Sequence, residues 1–251
     1  MTTLLTHYLA ADLTPYIDWA YFFHAWQVKA DSDQGHELKA DALGRLEGLA
    51  DRTGADVLYR RVKARSVGDN LLLDDSISLP LLRQQQLGQD GFTLCLADFV
   101  NPKEDDTVGL FATTCPLQAA GDDDPYESLM MQALATRLAE AAAEKLDLET
   151  SAREGRPGEK ASIRPAVGYP CLPDLSVIFL FDKLLGMNTI GITLTENGAM
   201  NPPASVCGMM INHPAARYFG VGRISEEQFG DYARRRGIDR TRMRQFLRAV
   251  L

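Results

Sequence analysis

The stretch RPAVGYPCLPD, residues 164 to 174, places an arginine, a glycine, a tyrosine and three prolines within eleven residues. Proline fixes φ and removes a backbone donor, so the segment suits neither a helix nor a regular strand. It is a stiff backbone carrying a cation, Arg164, and a phenol, Tyr169. Two acids stand in settings that could complement a cation. Asp18 sits in YIDWAYFF, where five of eight residues are aromatic. It reads as a core or cap residue, or as a carboxylate held in an apolar wall to meet a positive group. Glu140 borders the apolar stripe of a predicted helix, as a polar flank position or as a partly buried acid. Other chemistries find little support. His7, His24, His36 and His213 are scattered and HExxH is absent, so no metal site is expected. No GxSxG elbow, GxGxxG turn or P-loop occurs.

Composition narrows the class further. The 251 residues are 45% hydrophobic and 24% charged, with a formal net charge of -8. Such a chain is long enough to bury a core, and its acidic balance argues against a nucleic-acid partner. The arginines at 234, 235, 236, 240, 242, 244 and 248 form a local basic patch, read as a solvated helix face. Cys95, Cys115, Cys171 and Cys207 form no CxxC pair, which points to free thiols in a reducing, cytoplasmic compartment. Neither a signal peptide nor a membrane span is expected.

The elements that must position these residues can be read in outline. Apolar spacing predicts helices over 38–50 and, less clearly, 76–87. GFTLCLADFV (91–100) and TVGLFATTC read as two strands of a hairpin joined by NPKEDD. Residues 122–149 are the clearest helix, with Pro125 in the first turn and a stripe of Leu129, Met130, Ala133, Leu134, Leu138, Ala141, Ala142 and Leu146. Residues 149–162 read as a loop or linker. LSVIFLFDKLLG is a helix capped by Gly186, and NTIGITLTENGAM, ASVCGMMIN and RYFGVGRI are strands. Ser225 and Gln228 have capping-box spacing at a short helix that stops at Gly237, and Asp239 starts a last helix. Helices that do not alternate with strands make an α+β chain with antiparallel pairing, expected as a single domain over 1–251.

Taken together, these segments resemble the activation domain of cobalamin-dependent methionine synthase. RPAVGYPCLPD is similar to that family's RPAxGYPxxPD/E signature. YIDWAYFFHAW, LRQQ with LADFVNPKEDDTVGLFATT, ALATRLAEAAAE, LTENGAMNPPASVCGMMINHPAARYF and FGDYARRRG resemble its other blocks, in order, from about residue 10 to 248. The resemblance implies a C-shaped α+β fold around a twisted antiparallel sheet. It also implies S-adenosylmethionine as ligand and cobalamin held by a partner and contacted here. The partners implied are a cobalamin-binding methionine synthase module or other corrinoid protein and a flavodoxin-like or other electron donor. Together they would carry out reductive methylation of cob(II)alamin to methylcobalamin. The chain is not expected to be catalytically complete alone.

By the family pattern, Asp18, Glu140, Arg164, Ala166, Gly168 and Tyr218 match ligand-binding positions, and Tyr169 a position near the cobalt face. The chemistry agrees. Arg164 offers a planar fork for the ligand's carboxylate. Asp18 and Glu140 can face its ammonium and its ribose or sulfonium end. Gly168 removes a side chain where ligand or corrin could approach, and backbone groups near Ala166 could read adenine. His213 also matches, with a turn or packing role expected.

Some features depart from the family. There is no DxHxxG cobalamin motif and no zinc-binding homocysteine site, so the chain would act in trans on a separate corrinoid protein; Met1 and the compact end favour a standalone protein. PDLSVIFLF is strongly apolar after the signature, and AMNPPAS replaces AMWPGAS, which suggests an exposed apolar face for an altered partner. Two other readings stay open. One is a docking module for a corrinoid protein that does not bind S-adenosylmethionine; the other is a methyltransferase with a different acceptor.

Overall fold

The computed structural model describes residues 2–88, 91–117, 124–153 and 162–251. Its centre is a sheet whose long strands each divide their residues between two cores. Strand β2 is Gly54–Val67, β5 is Asp106–Thr114 and β9 is Ser205–Asn212. On β5, Val108, Leu110 and Ala112 enter one core while Phe111 enters the other. On β9, Cys207, Met209 and Ile211 oppose Val206 and Met210 in the same way. Alternate side chains of a strand point to opposite faces, so a sheet covered on both sides needs apolar residues at every position.

Helices supply the covers. β1 (Leu4–Leu9), α1 (Ala10–Leu13), α2 (Trp19–Ala25) and α3 (Asp33–Leu49) precede β2. Two short strands follow it, β3 (Asn70–Leu73) and β4 (Ile77–Pro80). Helix α4 (Pro125–Arg153) lies on the face shared with α2 and α3. Asp124 caps it, accepting from Tyr126 N at 2.9 Å. Strand β6 (Ser162–Ile163) leads into α5 (Val177–Leu185), which covers the other face. β7 (Thr193–Leu194) and β8 (Met200–Asn201) form a small separate hairpin. Helices α6 (Glu226–Arg236) and α7 (Arg240–Phe246) make a third core with Leu82 and Val221. The main sheet runs β4-β3-β2-β5-β9-β6, antiparallel throughout, with β1 also on β2. The α+β class with helices flanking an antiparallel sheet is therefore observed. Among the described residues no helix is long and apolar enough to cross a membrane.

Several local expectations change. Residues 91–100 hold no strand: Cys95 bridges Arg83 and a 3₁₀ turn follows over Leu96–Phe99. The reason is Asp98, which accepts from Cys95 N at 2.9 Å and grips Arg83 with both oxygens, at 2.8 and 2.6 Å. Such side-chain bonds compete with a sheet ladder. β5 consequently pairs with β2 and β9 instead. Residues 76–87 give β4 rather than a helix. RYFGVGRI bonds to loops, with Val221 N on Pro170 O and Ile224 N on Val250 O. NTIGITLTENGAM opens as a 3₁₀ turn over Met187–Ile190 before β7. Helix α4 runs through part of 149–162 as far as Arg153, and 154–161 lie outside the described residues.

Burial and bonding also correct three patches. Leu129 in the α4 stripe is exposed, whereas Met131, Ala135, Ala139 and Ala143 are buried, so α4 is enclosed on more than one side. The apolar run after the signature is no docking face: Val177, Ile178 and Phe181 are fully buried in α5, and only Leu175 beside them is exposed. The arginine patch is more than a solvated face. Arg235 donates to Leu81 O, Asp69 O and Asn70, and Arg236 is buried against Asp174.

Candidate functional site

The 164–174 segment is held by its backbone. Met209 N donates to Pro165 O at 3.0 Å and Val167 N to Cys207 O at 2.9 Å, which docks the segment on β9. Close approach there needs Gly208: a Cβ on it would lie 2.4 Å from Pro165 O and 2.8 Å from Ala166 Cα. A tight turn follows, with Tyr169 N on Ala166 O, Leu172 N on Tyr169 O and Gly168 N on Leu172 O. Gly168 has φ +94°, a conformation that side chains oppose. The turn's far end is fastened at Asp174, 1% exposed, which accepts from Ser176 N, Ser176 Oγ and Tyr232 Oη, each at 2.8 Å, and from Arg236 Nε at 3.1 Å.

This scaffold presents Arg164, Tyr169 and Pro170 to a cleft of about 860 Å³. Helix α4 supplies Arg137, Glu140, Ala141 and Glu144 to the same cleft; the N-terminal segment supplies Tyr16, Asp18 and Tyr21, and the loop after β9 supplies Tyr218. Five of the residues singled out by sequence, Asp18, Glu140, Arg164, Tyr169 and Tyr218, thus line one cavity. Ala166 and Gly168 do not line it. Ala166 is buried against Gly208, and Gly168 borders a different recess with Leu175 and Arg248. The positive φ of the turn explains Gly168 without an approaching ligand. His213 accepts from Ala215 N at 3.1 Å, a turn role as expected.

Each charged group in the cleft has a distinct environment. Arg164 Nη1 contacts Glu144 at 2.8 Å and Asp147 at 3.7 Å. Burial alone would lower its pKa, but the bond to Glu144 and the two acidic charges leave it raised. Its Nε–Nη2 edge has no partner among the described residues, so a two-donor fork stays open. Tyr218 Oη accepts from Arg164 N at 2.8 Å, tying the two sides of the mouth. Asp18 caps α2 by accepting from Ala20 N at 2.9 Å. Glu140 is half-buried, and among the described residues nothing donates to it. Burial raises its pKa, opposed by Arg137 and Arg164 and aided by Glu144. Arg137 has no ion pair among the described residues and lies over the Tyr21 ring at 5.6 Å. Tyr169 and Tyr218 are 6.5 Å apart between ring centroids. Burial, then the charge of Glu140, pushes the Tyr169 hydroxyl up to about 12.

Sequence reasoning passed over Arg137, Glu144 and Tyr21. The first two lie three residues before and four after Glu140 on α4, the spacing that brings helical side chains onto one face. That signal was present in ALATRLAEAAAE. Among the described residues, no cluster could hold a metal ion. All four cysteines are buried and free, and burial pushes their thiols up, which removes them as nucleophiles.

The cleft is part-open, lined by both polar and apolar groups, and built from a stiff arginine–tyrosine loop on an antiparallel sheet backed by a long helix. Residues 9–237 match the family described as vitamin B12 dependent methionine synthase, activation domain. The chain belongs to that family. Its fold is similar to the crystal structure of the MetH reactivation domain bound to AdoHcy, with 31% sequence identity and a TM-score of 0.89. That similarity covers 100% of this chain and 90% of the other.

Proposed function

We propose that the cleft binds S-adenosylmethionine and that the chain, working as one domain over 1–251, supports reactivation of a corrinoid-bound methionine synthase. The observation that carries this reading is Glu140: a half-buried carboxylate with no donor, inside a cavity that also holds an open arginine edge. A carboxylate partly withdrawn from water with no protein donor leaves a negative position that suits a cationic ligand. S-adenosylmethionine meets the whole set. Its carboxylate fits the Nε–Nη2 edge of Arg164, its ammonium and sulfonium suit Glu140 and Asp18, and its flat base suits the tyrosine walls. The cavity lies within the roughly 300–1,000 Å³ usual for ligand sites.

Arg164 binds and orients, steadied from behind by Glu144 and Asp147. Tyr218 shapes the mouth through its bond to Arg164 N. Tyr169, 37% exposed, is accessible to a corrinoid carried by a partner. That corrinoid supplies the methyl-accepting metal, and a flavodoxin-like or other reductase supplies the electron. The free thiols are in keeping with a reducing, cytoplasmic setting.

Calorimetric titration of the chain with S-adenosylmethionine tests the reading. Saturable one-to-one binding is expected. Absence of binding at millimolar ligand would overturn it in favour of a docking module.

A further inference from the structure

From the charges lining the cleft we infer that it discriminates by ligand charge, holding the methylated sulfonium more tightly than the demethylated thioether, with Glu140 as the residue that sets the difference. The inference rests on the ligand reading above and goes beyond it. The cavity wall carries three carboxylates, Asp18, Glu140 and Glu144, against two guanidinium groups, Arg137 and Arg164. One negative charge is in excess. Glu144 is matched by Arg164 at 2.8 Å, and Asp18 is partly satisfied by Ala20 N. Arg164 also lies 3.7 Å from Asp147, and of the three lining carboxylates Glu140 is the one that receives no hydrogen bond among the described residues.

S-adenosylmethionine carries an ammonium, a sulfonium and a carboxylate, one positive charge in excess, and so balances the wall. Methyl transfer breaks the C–S bond and leaves its electron pair on sulfur, while the methyl group bonds to the electron-rich metal of the partner. The remaining thioether has no net charge. The wall is then again one charge negative in a part-enclosed site where water screens poorly. Transfer itself thus weakens the hold on the product. The groups around Glu140 make the balance sensitive: Arg137 on its own helix, Arg164 and Tyr169 from the loop, Asp18 and Tyr21 from the N-terminal segment, Tyr218 from the loop after β9, and Glu144 one turn on. Ionised Glu140 favours the cationic ligand, so preference for the sulfonium should grow as pH rises through the raised pKa of Glu140.

The test is calorimetry of the full chain with S-adenosylmethionine and S-adenosylhomocysteine at low and high salt. One unit charge in such a setting corresponds to a preference on the order of tenfold for the sulfonium at low salt. The preference should shrink in Glu140→Gln. It should widen in Arg137→Gln, because that change makes the wall more negative, even if both ligands then bind more weakly. Equal affinities in the unmodified chain, or a ratio unmoved by both substitutions, would overturn the inference while leaving the ligand reading intact. Failure of both ligands to bind would overturn the two together.

Discussion

Asp174, sealed in the interior, and Glu140, half-buried in a part-open cleft, are carboxylates on structures joined to the same loop, and they are treated in opposite ways. Asp174 closes the 164–174 segment against α6 and receives four hydrogen bonds, from Ser176 twice, Tyr232 and Arg236. Glu140 faces the cleft that the segment's Arg164 and Tyr169 line, and receives none among the described residues. A buried charge must be satisfied somewhere. Where the protein does so itself, the group belongs to the fold; where it does not, the missing partner comes from outside.

The largest way to break this contrast is Asp174→Ala. It leaves Arg236 with Ser176 Oγ and Tyr232 with Pro80 O in a closed interior, without the carboxylate that balanced the guanidinium, and losing one partner of a buried pair costs about 3–5 kcal/mol. Chemical denaturation should show that loss, while the folded fraction still binds ligand. A stability within ~1 kcal/mol of the parent would mean that the cluster is not structural. Arg164→Ala acts from the other side. S-adenosylmethionine affinity should fall about tenfold or more, ~1.4 kcal/mol per decade, with calorimetry as the check. Unchanged affinity would remove Arg164 from the site.

Smaller effects sharpen the division. Ser225 Oγ accepts from Gln228 N at 3.2 Å and caps α6, the helix bearing Tyr232 and Arg236. Ser225→Ala should lower stability by about 1 kcal/mol and leave ligand affinity unmoved. Glu140→Gln should do the reverse. Burial raises the folded-state pKa of Glu140 above its unfolded value, so its stabilising contribution is present in full below the unfolded pKa and is lost as pH rises through the folded one. Glutamine does not suffer that loss. The variant's thermal midpoint should therefore exceed the parent's slightly at neutral pH, and the gain should vanish in acid. A lower midpoint at neutral pH would mark Glu140 as structural.

What could be read from sequence follows the reach of each signal. Local chemistry marks α5 by Gly186, α6 by Ser225 and Gly237, and α7 by Asp239, and the structure has all three. Strand β2 gave no such sign. Its Arg60, Arg61, Lys63 and Arg65 obscure the alternation; Arg60 reaches Leu184 O, Arg61 bonds to Thr107 on the neighbouring β5, and Lys63 to Asp75. Asp98 turned an apolar run away from strand geometry through Arg83, fifteen residues earlier. In the cleft, Asp18, Glu140, Arg164 and Tyr169 stood out by type and setting, and Tyr218 through the family resemblance. Arg137 and Glu144 were hidden because a charged residue on a helix usually faces solvent. α4 is enclosed so widely that its polar positions turn inward to the cavity.

Gly208 has a consequence for heredity. Its missing side chain is the seat on which Pro165 and Ala166 rest, so strand β9 and the 164–174 loop form one unit of descent despite their distance along the chain. A lineage that replaces this glycine must also shift the loop, since even a methyl group there would meet Pro165 O at 2.4 Å.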